Sequence, residues 1–226
     1  EIFLDGLSFE NVSDRLASQG SYDRLLSLFT LNPEKISVFT ESDGTRTFFE
    51  EGQNVSIAVD GSVKYSAVGA GGIDIGDVIG YRSENSEYSL RDKIGATLCI
   101  VREMTEITYI SENIKIRLSG IFYDENDNFV ITYSASYKGI PIICENAFFS
   151  FTVSGDRIKS VDCSMFDVVA YGDSVLPNAM WEYITYAASA QGKVYSQLVP
   201  AYAYDESAEN VYARYYSRSA YMEVNG

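Results

Sequence analysis

Two Asp-Gly pairs, Asp43-Gly44 and Asp60-Gly61, each sit between runs in which apolar and polar residues alternate. Asp-Gly at the tip of alternating runs is a strong short-range hairpin signal, because both residues accept the left-handed backbone that a tight turn needs. The stretch from Ile36 to Ala67 therefore reads as two antiparallel hairpins, with Ile36, Val38 and Phe39 leading in, Phe48-Phe49 and Val55-Ile57-Val59 in the middle, and Val63-Tyr65 leading out. Any fold open to this chain has to accommodate an antiparallel meander there.

Around this meander the period changes. Leu7, Phe9, Val12, Leu16, Tyr22, Leu25, Leu26 and Phe29 recur at helical spacings and predict two short helices over residues 7–29, broken by Gly20, with Ser8 and Ser21 as N-caps. Residues 69–87, with Gly69, Gly71, Gly72, Gly76 and Gly80 and then a polar run, read as a linker. That places a domain boundary near residue 86, between an N-terminal α+β domain (1–86) and a C-terminal one (87–226).

The second half opens with a helix from Ser89 to Met104, where Ser89 and Asp92 form a capping-box start and Leu90, Ile94, Leu98 and Val101 trace one face. Four strands are expected at 107–122, 128–138, 141–153 and 157–170, then a helix over 174–190 with Pro177 in its first turn and Gly192 as its stop, then strands at 193–204 and 211–224. The fold class that follows is α+β, with antiparallel sheets and helices packed on one face.

Composition narrows function mainly by exclusion. The chain has 17 Lys and Arg against 32 Asp and Glu, a formal net charge of −15, so phosphate backbones and anionic lipid are repelled and nucleic acid is not an expected partner. A basic protein patch, a cationic ligand or a divalent cation stays open, and the acidity also keeps a surface or secreted protein soluble. There is no histidine at all, which removes Ser-His-Asp and Cys-His sites and most catalytic zinc arrangements. No serine has a lysine three residues later, which closes the S-x-x-K route as well.

Paired carboxylates could still serve glycoside hydrolysis, but the acids cluster at turn positions, Glu50-Glu51, Asp124 to Asp127 and Asp205-Glu206. Asp124, Asn126 and Asn128 start like a calcium loop; the pattern then breaks at Phe129, where glycine is needed, and at Ala135, where a bidentate glutamate is needed. A hairpin turn is the better reading. Gly69-Ala70-Gly71-Gly72 lacks the Lys-Ser/Thr of a phosphate loop. No catalytic residue, metal site or cofactor is therefore assigned.

Cys99, Cys144 and Cys163 lie far apart without a C-x-x-C pair; Cys144 and Cys163 fall in neighbouring predicted strands, where pairing depends on register, and burial as small apolar residues is the expectation for all three. No stretch is apolar enough for a membrane helix, and the start at Glu1 without Met leads us to expect that an N-terminal signal or anchor precedes this region. Tyrosines concentrate in the final strands, among them Tyr195, Tyr202, Tyr204, Tyr212, Tyr215, Tyr216 and Tyr221. Either they build a protein-binding face or they simply cover a sheet. Tyr137, Tyr202, Tyr204 and Tyr215 are the binding candidates.

The order of several short motifs resembles the extracytoplasmic YycH and YycI proteins of Gram-positive bacteria. Asn32-Pro33 followed by Ile36 matches their N-P-x-x-I segment, Asp43-Gly44-Thr45-Arg46 their D-G-x-R turn, and Gly61 to Tyr65 their G-x-(V/L)-x-Y strand. Tyr133, Tyr137, Gly139, Pro141 and Ile142 are similar to the Y-x-x-x-Y-x-G-x-P-(I/V) hairpin shared with PepSY-like domains, and Leu198 to Tyr202 to their L-x-P-x-(W/Y) strand, with Tyr202 where tryptophan is often found.

This resemblance covers residues 30–226 and implies PepSY-like helix-plus-strand units in the C-terminal half. It also implies a single N-terminal membrane anchor, an extracytoplasmic location and a non-enzymatic role, regulating a two-component membrane sensor kinase through contacts with its ectodomain. A PepSY-like protease inhibitor or propeptide-like module is the alternative, and a carboxylate-dependent cell-wall hydrolase a third.

Overall fold

The structure, a computed structural model, describes residues 4–16, 19–82, 87–144, 147–175, 198–205 and 210–217. Its centre is a twelve-stranded, mostly antiparallel sheet, accompanied by a separate two-stranded sheet. The N-terminal meander comprises β2 (Ser37–Thr40), β3 (Arg46–Glu50), β4 (Gln53–Ile57) and β5 (Val63–Ala67). Both Asp-Gly turns form as expected, with Gly44 at φ 90° and Gly61 at φ 85°. The carboxylates of Asp43 and Asp60 accept bonds from the amides of Thr45 and Ser62, at 2.9 and 2.8 Å.

The predicted linker is instead structured at its centre, as β6 (Ile73–Asp74) running into the helix α3 (Ile75–Ile79), whose N-cap Asp74 accepts from Gly76 and Asp77. β6 pairs with β11 (Arg157–Cys163), and so does β5. The sheet therefore continues across position 86, and residues from both halves share one core.

The next elements are α4 (Leu90–Ile107), β7 (Ile114–Tyr123), β8 (Phe129–Tyr137), β9 (Ile140–Ile143) and β10 (Phe149–Ser154). The capping box of α4 forms as expected, with Ser89 and Asp92 bonding each other's backbone N–H. The expected strand 141–153 is two strands, because β9 pairs with the last residues of β8 and β10 with its first five. The expected strand 157–170 also divides, into β11 and β12 (Phe166–Val175), since β12 leaves the main sheet to pair with β1 (Leu4–Asn11).

The segment read as a first helix is thus a strand. Leu7 and Phe9 satisfy a period of two as well as a helical one, and antiparallel pairing with β12 decides between them. Ser8 lies in that strand and caps nothing, while Gly20 and Ser21 lie inside α2 (Gln19–Leu28), which follows the single turn α1 (Ser13–Leu16). The last strands are β13 (Leu198–Asp205), parallel to β9, and β14 (Asn210–Ser217). The expected helix over 174–190 overlaps β12 at Ser174 and Val175 and otherwise lies, with Gly192 and the 218–224 part of the last strand, outside the described residues.

Register lines up one apolar row across the sheet: Val38, Phe48, Val55, Tyr65, Val161, Phe151 and Ile131 are successive cross-strand neighbours. The helices cover this face. Phe29, just past α2, stacks on Tyr65 with centroids 5.1 Å apart, Tyr22 tilts over Phe48 at 5.8 Å, and Thr97 of α4 shares a 2.7 Å hydrogen bond with the buried Tyr133 hydroxyl. The opposite face of the same strands is polar, with Thr47, Ser56, Lys64, Asp162, Ser150 and Thr132 in register, as expected where only one face of an antiparallel sheet is packed.

Arg15 joins this layer to the two-stranded sheet. Its guanidinium bonds the buried Asp167 carboxylate at 2.7 Å, the carbonyls of Thr108 and Tyr109 at the C-terminus of α4 at 3.3 and 2.9 Å, and Glu10 at 2.8 Å. The other oxygen of Asp167 accepts from the amides of Ser111 and Val168. Replacing Arg15 with methionine leaves that buried carboxylate uncompensated, and we expect a loss of about 3 kcal/mol in urea unfolding. Arg15→Met combined with Asp167→Asn should recover part of it, and strict additivity of the two changes would contradict the coupling. Gly95, inside α4, has nothing within 4 Å of where a Cβ would stand, so Gly95→Ala should raise stability by roughly 0.5–1 kcal/mol in the same measurement.

Candidate binding site

The tyrosines singled out from the sequence divide on inspection. Tyr137 and Tyr202 come together, their rings T-shaped at 6.1 Å, but they are 3% and 2% exposed and belong to the interior. The Tyr202 hydroxyl donates to the carbonyl of Asp5 at 3.1 Å, and Lys138, over the Tyr137 ring, pairs with the Asp5 carboxylate at 2.8 Å. These rings lock β8, β13 and β1 together and present no surface to a partner. For Tyr204 and Tyr215 the structure describes backbone only, Tyr204 on β13 opposite Val211 and Tyr215 on β14 opposite Pro200. Tyr195 and Tyr221 lie outside the described residues.

The acidic turns are occupied by their own backbones. Asp124 Oδ1 accepts from the amides of Asn126 and Asn128 at 2.8 and 2.9 Å, and the Asn128 side chain bonds both carboxylate oxygens. Those bonds, that of the Asn128 side chain foremost, hold the Asp124 carboxyl below the usual range. The Asp43 carboxyl is lowered in the same way, chiefly by the Thr45 amide. Among the described residues no three His, Cys, Asp or Glu side chains group to hold a metal ion. Cys163 is buried, Cys144 half-buried and Cys99 exposed on α4 against the expectation that it is buried. Burial pushes the Cys163 thiol well above its usual range.

Exposed apolar side chains mark a different region. Val38 is 56% and Phe39 60% exposed on β2, with Phe49 beside them on β3, and a second set, Leu118, Ile121, Phe122 and Tyr123, lies on β7. β2 ends the main path of the sheet, and all four of its residues are exposed. Between β2 and α2 runs a groove of about 350 Å³ floored by Leu26, Ile36, Val38 and Phe48, with Tyr22 and Asp23 on its helical wall. Arg46 crosses it, its guanidinium 5.8 Å from the Tyr22 ring centre. A shallower depression of about 480 Å³ lies on the other face, against Ser37, Phe49 and Glu51.

Local sequence explains the site. Pro33, with the Asn32 amide held by Glu50 at 2.7 Å and the Asn32 side chain accepting from Glu34, turns the chain out of α2, and the Asp43-Gly44 hairpin returns it, leaving Ser37-Val38-Phe39-Thr40 as the outermost strand. Sequence reasoning located this hairpin but not its place at the sheet edge. The signal available was the absence of charge and proline over four residues.

Neither a family model nor a curated protein matches the chain. Most of the residues that carry the YycH/YycI resemblance sit in turns or in the core: Asn32 and Asp43 shape turns, Lys138 and Gly139 make the β8–β9 turn at positive φ, and Tyr65, Tyr133, Tyr137 and Tyr202 are buried, while Pro33, Ile36 and Arg46 line the groove beside β2.

Two predictions follow from the buried phenols. Burial pushes Tyr65 and Tyr202 up to about 12, against an ordinary value of 10. The folded state therefore holds these protons more tightly than the unfolded chain, so the stabilisation is whole below pH 10 and is lost as pH rises through about 12. Tyr65→Phe, which gives up the 2.9 Å bond to Gln53, should cost about 1 kcal/mol at neutral pH yet flatten the alkaline loss, followed by circular dichroism against tyrosinate absorbance. Tyr202→Ala should destabilise by about 3 kcal/mol, a core effect that a surface role would not produce.

Proposed function

We propose that this chain is a non-enzymatic binding module that acts by protein–protein contact through the edges of its sheet. The observation that carries this reading is the concentration of large exposed apolar side chains on β2, β3 and β7, where scattered single residues would need no explanation. The carboxylates of Asp43, Asp60 and Asp124, bonded within their own loops, favour contact over carboxylate chemistry.

The biological role we assign, on the ordered motifs resembling YycH and YycI, is that of an extracytoplasmic regulator whose partner is a membrane sensor kinase ectodomain. Those motif residues are fold-forming, so they bear on the scaffold, and partner choice rests with the exposed edges. A PepSY-like inhibitory module would use the same edges against a protease. No helix among the described residues is long and apolar enough to cross a membrane, and this assignment takes any tether to lie beyond the residues given.

The test is affinity capture from detergent-solubilised membranes of the source organism with three baits of matched stability: the wild type, Phe39→Glu and Phe122→Glu. A sensor kinase retained by the wild type and lost with either variant is the expected result. A partner set identical across all three baits, or conversion of substrate by the purified chain, would overturn the proposal.

A further inference from the structure

The twelve-stranded sheet has four strands with a side left unpaired in the ladder among the described residues, the two-residue β6 and the longer β2, β7 and β14, and the three longer ones differ in how they are guarded. Edge strands offer free N–H and C=O groups that invite pairing, and proteins blunt them with bulges, charges or cover. β7 is bulged between Leu118 and Gly120 and carries exposed Lys115 and Arg117. β14 lies against β1. β2 has no bulge, no charge and no proline, and among the described residues nothing packs over Val38 and Phe39 enough to hide them.

Its backbone is also set for an incoming strand. The Glu41 amide bonds the Thr45 carbonyl, and in an antiparallel ladder bonded and non-bonded pairs alternate. Phe39 and Ser37 therefore bond inward to β3, while the N–H and C=O of Val38 and Thr40 point away from the sheet. Val38 is also the last member of the apolar row that runs through Phe48, Val55 and Tyr65. A strand added beside β2 would place its own apolar residue next in that row, over the groove floored by Leu26 and Ile36 and walled by α2. An open strand edge beside a helix-walled apolar groove is the arrangement by which strand addition takes main-chain bonds for affinity and alternate side chains for specificity.

Charge selects the occupant. The chain carries −15 overall, and of the exposed charges beside β2 the acids Glu34, Glu41 and Asp43 outnumber Lys35 and Arg46. A second copy would bring the same charge to the contact, which opposes self-pairing, whereas lysine or arginine on the strand is attracted. We infer that the β2 edge and the α2 groove bind an extended polypeptide segment in which apolar residues alternate with basic ones, by adding it as a further antiparallel or parallel strand. This deepens the proposed function and rests on it.

The experiment is fluorescence anisotropy on the full chain with a short end-capped peptide of alternating lysine and valine. Three comparisons accompany it: the same peptide with glutamate for lysine, the lysine peptide N-methylated at alternate residues, and the Val38→Pro variant. Proline at 38 removes only an outward N–H and is tolerated on an edge. We expect the lysine peptide to bind, weaker at higher salt, and each of the three changes to lower affinity by about tenfold or more.

Equal binding of the acidic or the N-methylated peptide would overturn the inference, and so would no binding of the lysine peptide. The N-methylated probe decides the matter even if Val38→Pro fails to fold. A wild-type dimer in sedimentation that Val38→Pro makes monomeric would replace the peptide with a second copy. If the peptide fails while membrane capture is lost only with Phe122→Glu, this inference falls and the protein-binding reading stands on β7.

Discussion

The contact between Arg15 and Asp167 holds together parts of the chain that nothing in the sequence order brings near. Asp167 is buried and bonded by one guanidinium and two amides, and a buried carboxylate is costly without such partners. Arg15 in turn caps the C-terminal carbonyls of α4, where the helix dipole favours a cation. One side chain thereby fixes the end of α4, the turn leading to β7, and the two-stranded β1–β12 sheet relative to one another.

With α4 so placed, the rest of the packing face follows. Thr97 meets Tyr133, Lys93 lies 4.2 Å from the centre of the Phe129 ring, and the aromatic residues of β8 and β10 fill the space beneath the helix. The apolar row then runs outward through β11, β5, β4 and β3 under α2, and its last member, Val38, passes beyond the helical cover. The exposure of Val38 is thus a consequence of a long sheet with a short second helix, while Phe39, opposite Thr47, lies on the other face. The groove beside β2 is the strip of packing face that α2 does not reach.

How much of this was legible beforehand depends on the range of the interaction concerned. The Asp-Gly hairpins and the Ser89–Asp92 capping box are contacts within a few residues, and both formed as the sequence indicated. The segment around Leu7 and Phe9 satisfied two periods at once, and only its pairing with a strand about 160 residues later made it β. The run that splits into β9 and β10 carries a polar break at Glu145-Asn146, whereas the split into β11 and β12 reflects a change of neighbour more than of local preference. The tyrosine cluster was visible as a count, but Tyr137 and Tyr202 point inward, while large exposed chains such as Phe39, Phe49 and Phe122 lie on β2, β3 and β7.

By itself, then, the sequence determined the local devices and the chemistry on hand: turns whose Asp-Gly geometry admits few alternatives, a capped helix, an acidic surface and no imidazole. Those depend on residue type and near neighbours alone. Tertiary structure decided which strands became edges, which aromatics became core, and where a carboxylate was buried beside a guanidinium. Each of these is set by contacts between residues far apart in the chain, and an uncharged strand reads the same in a sequence whether it ends inside a sheet or at its rim.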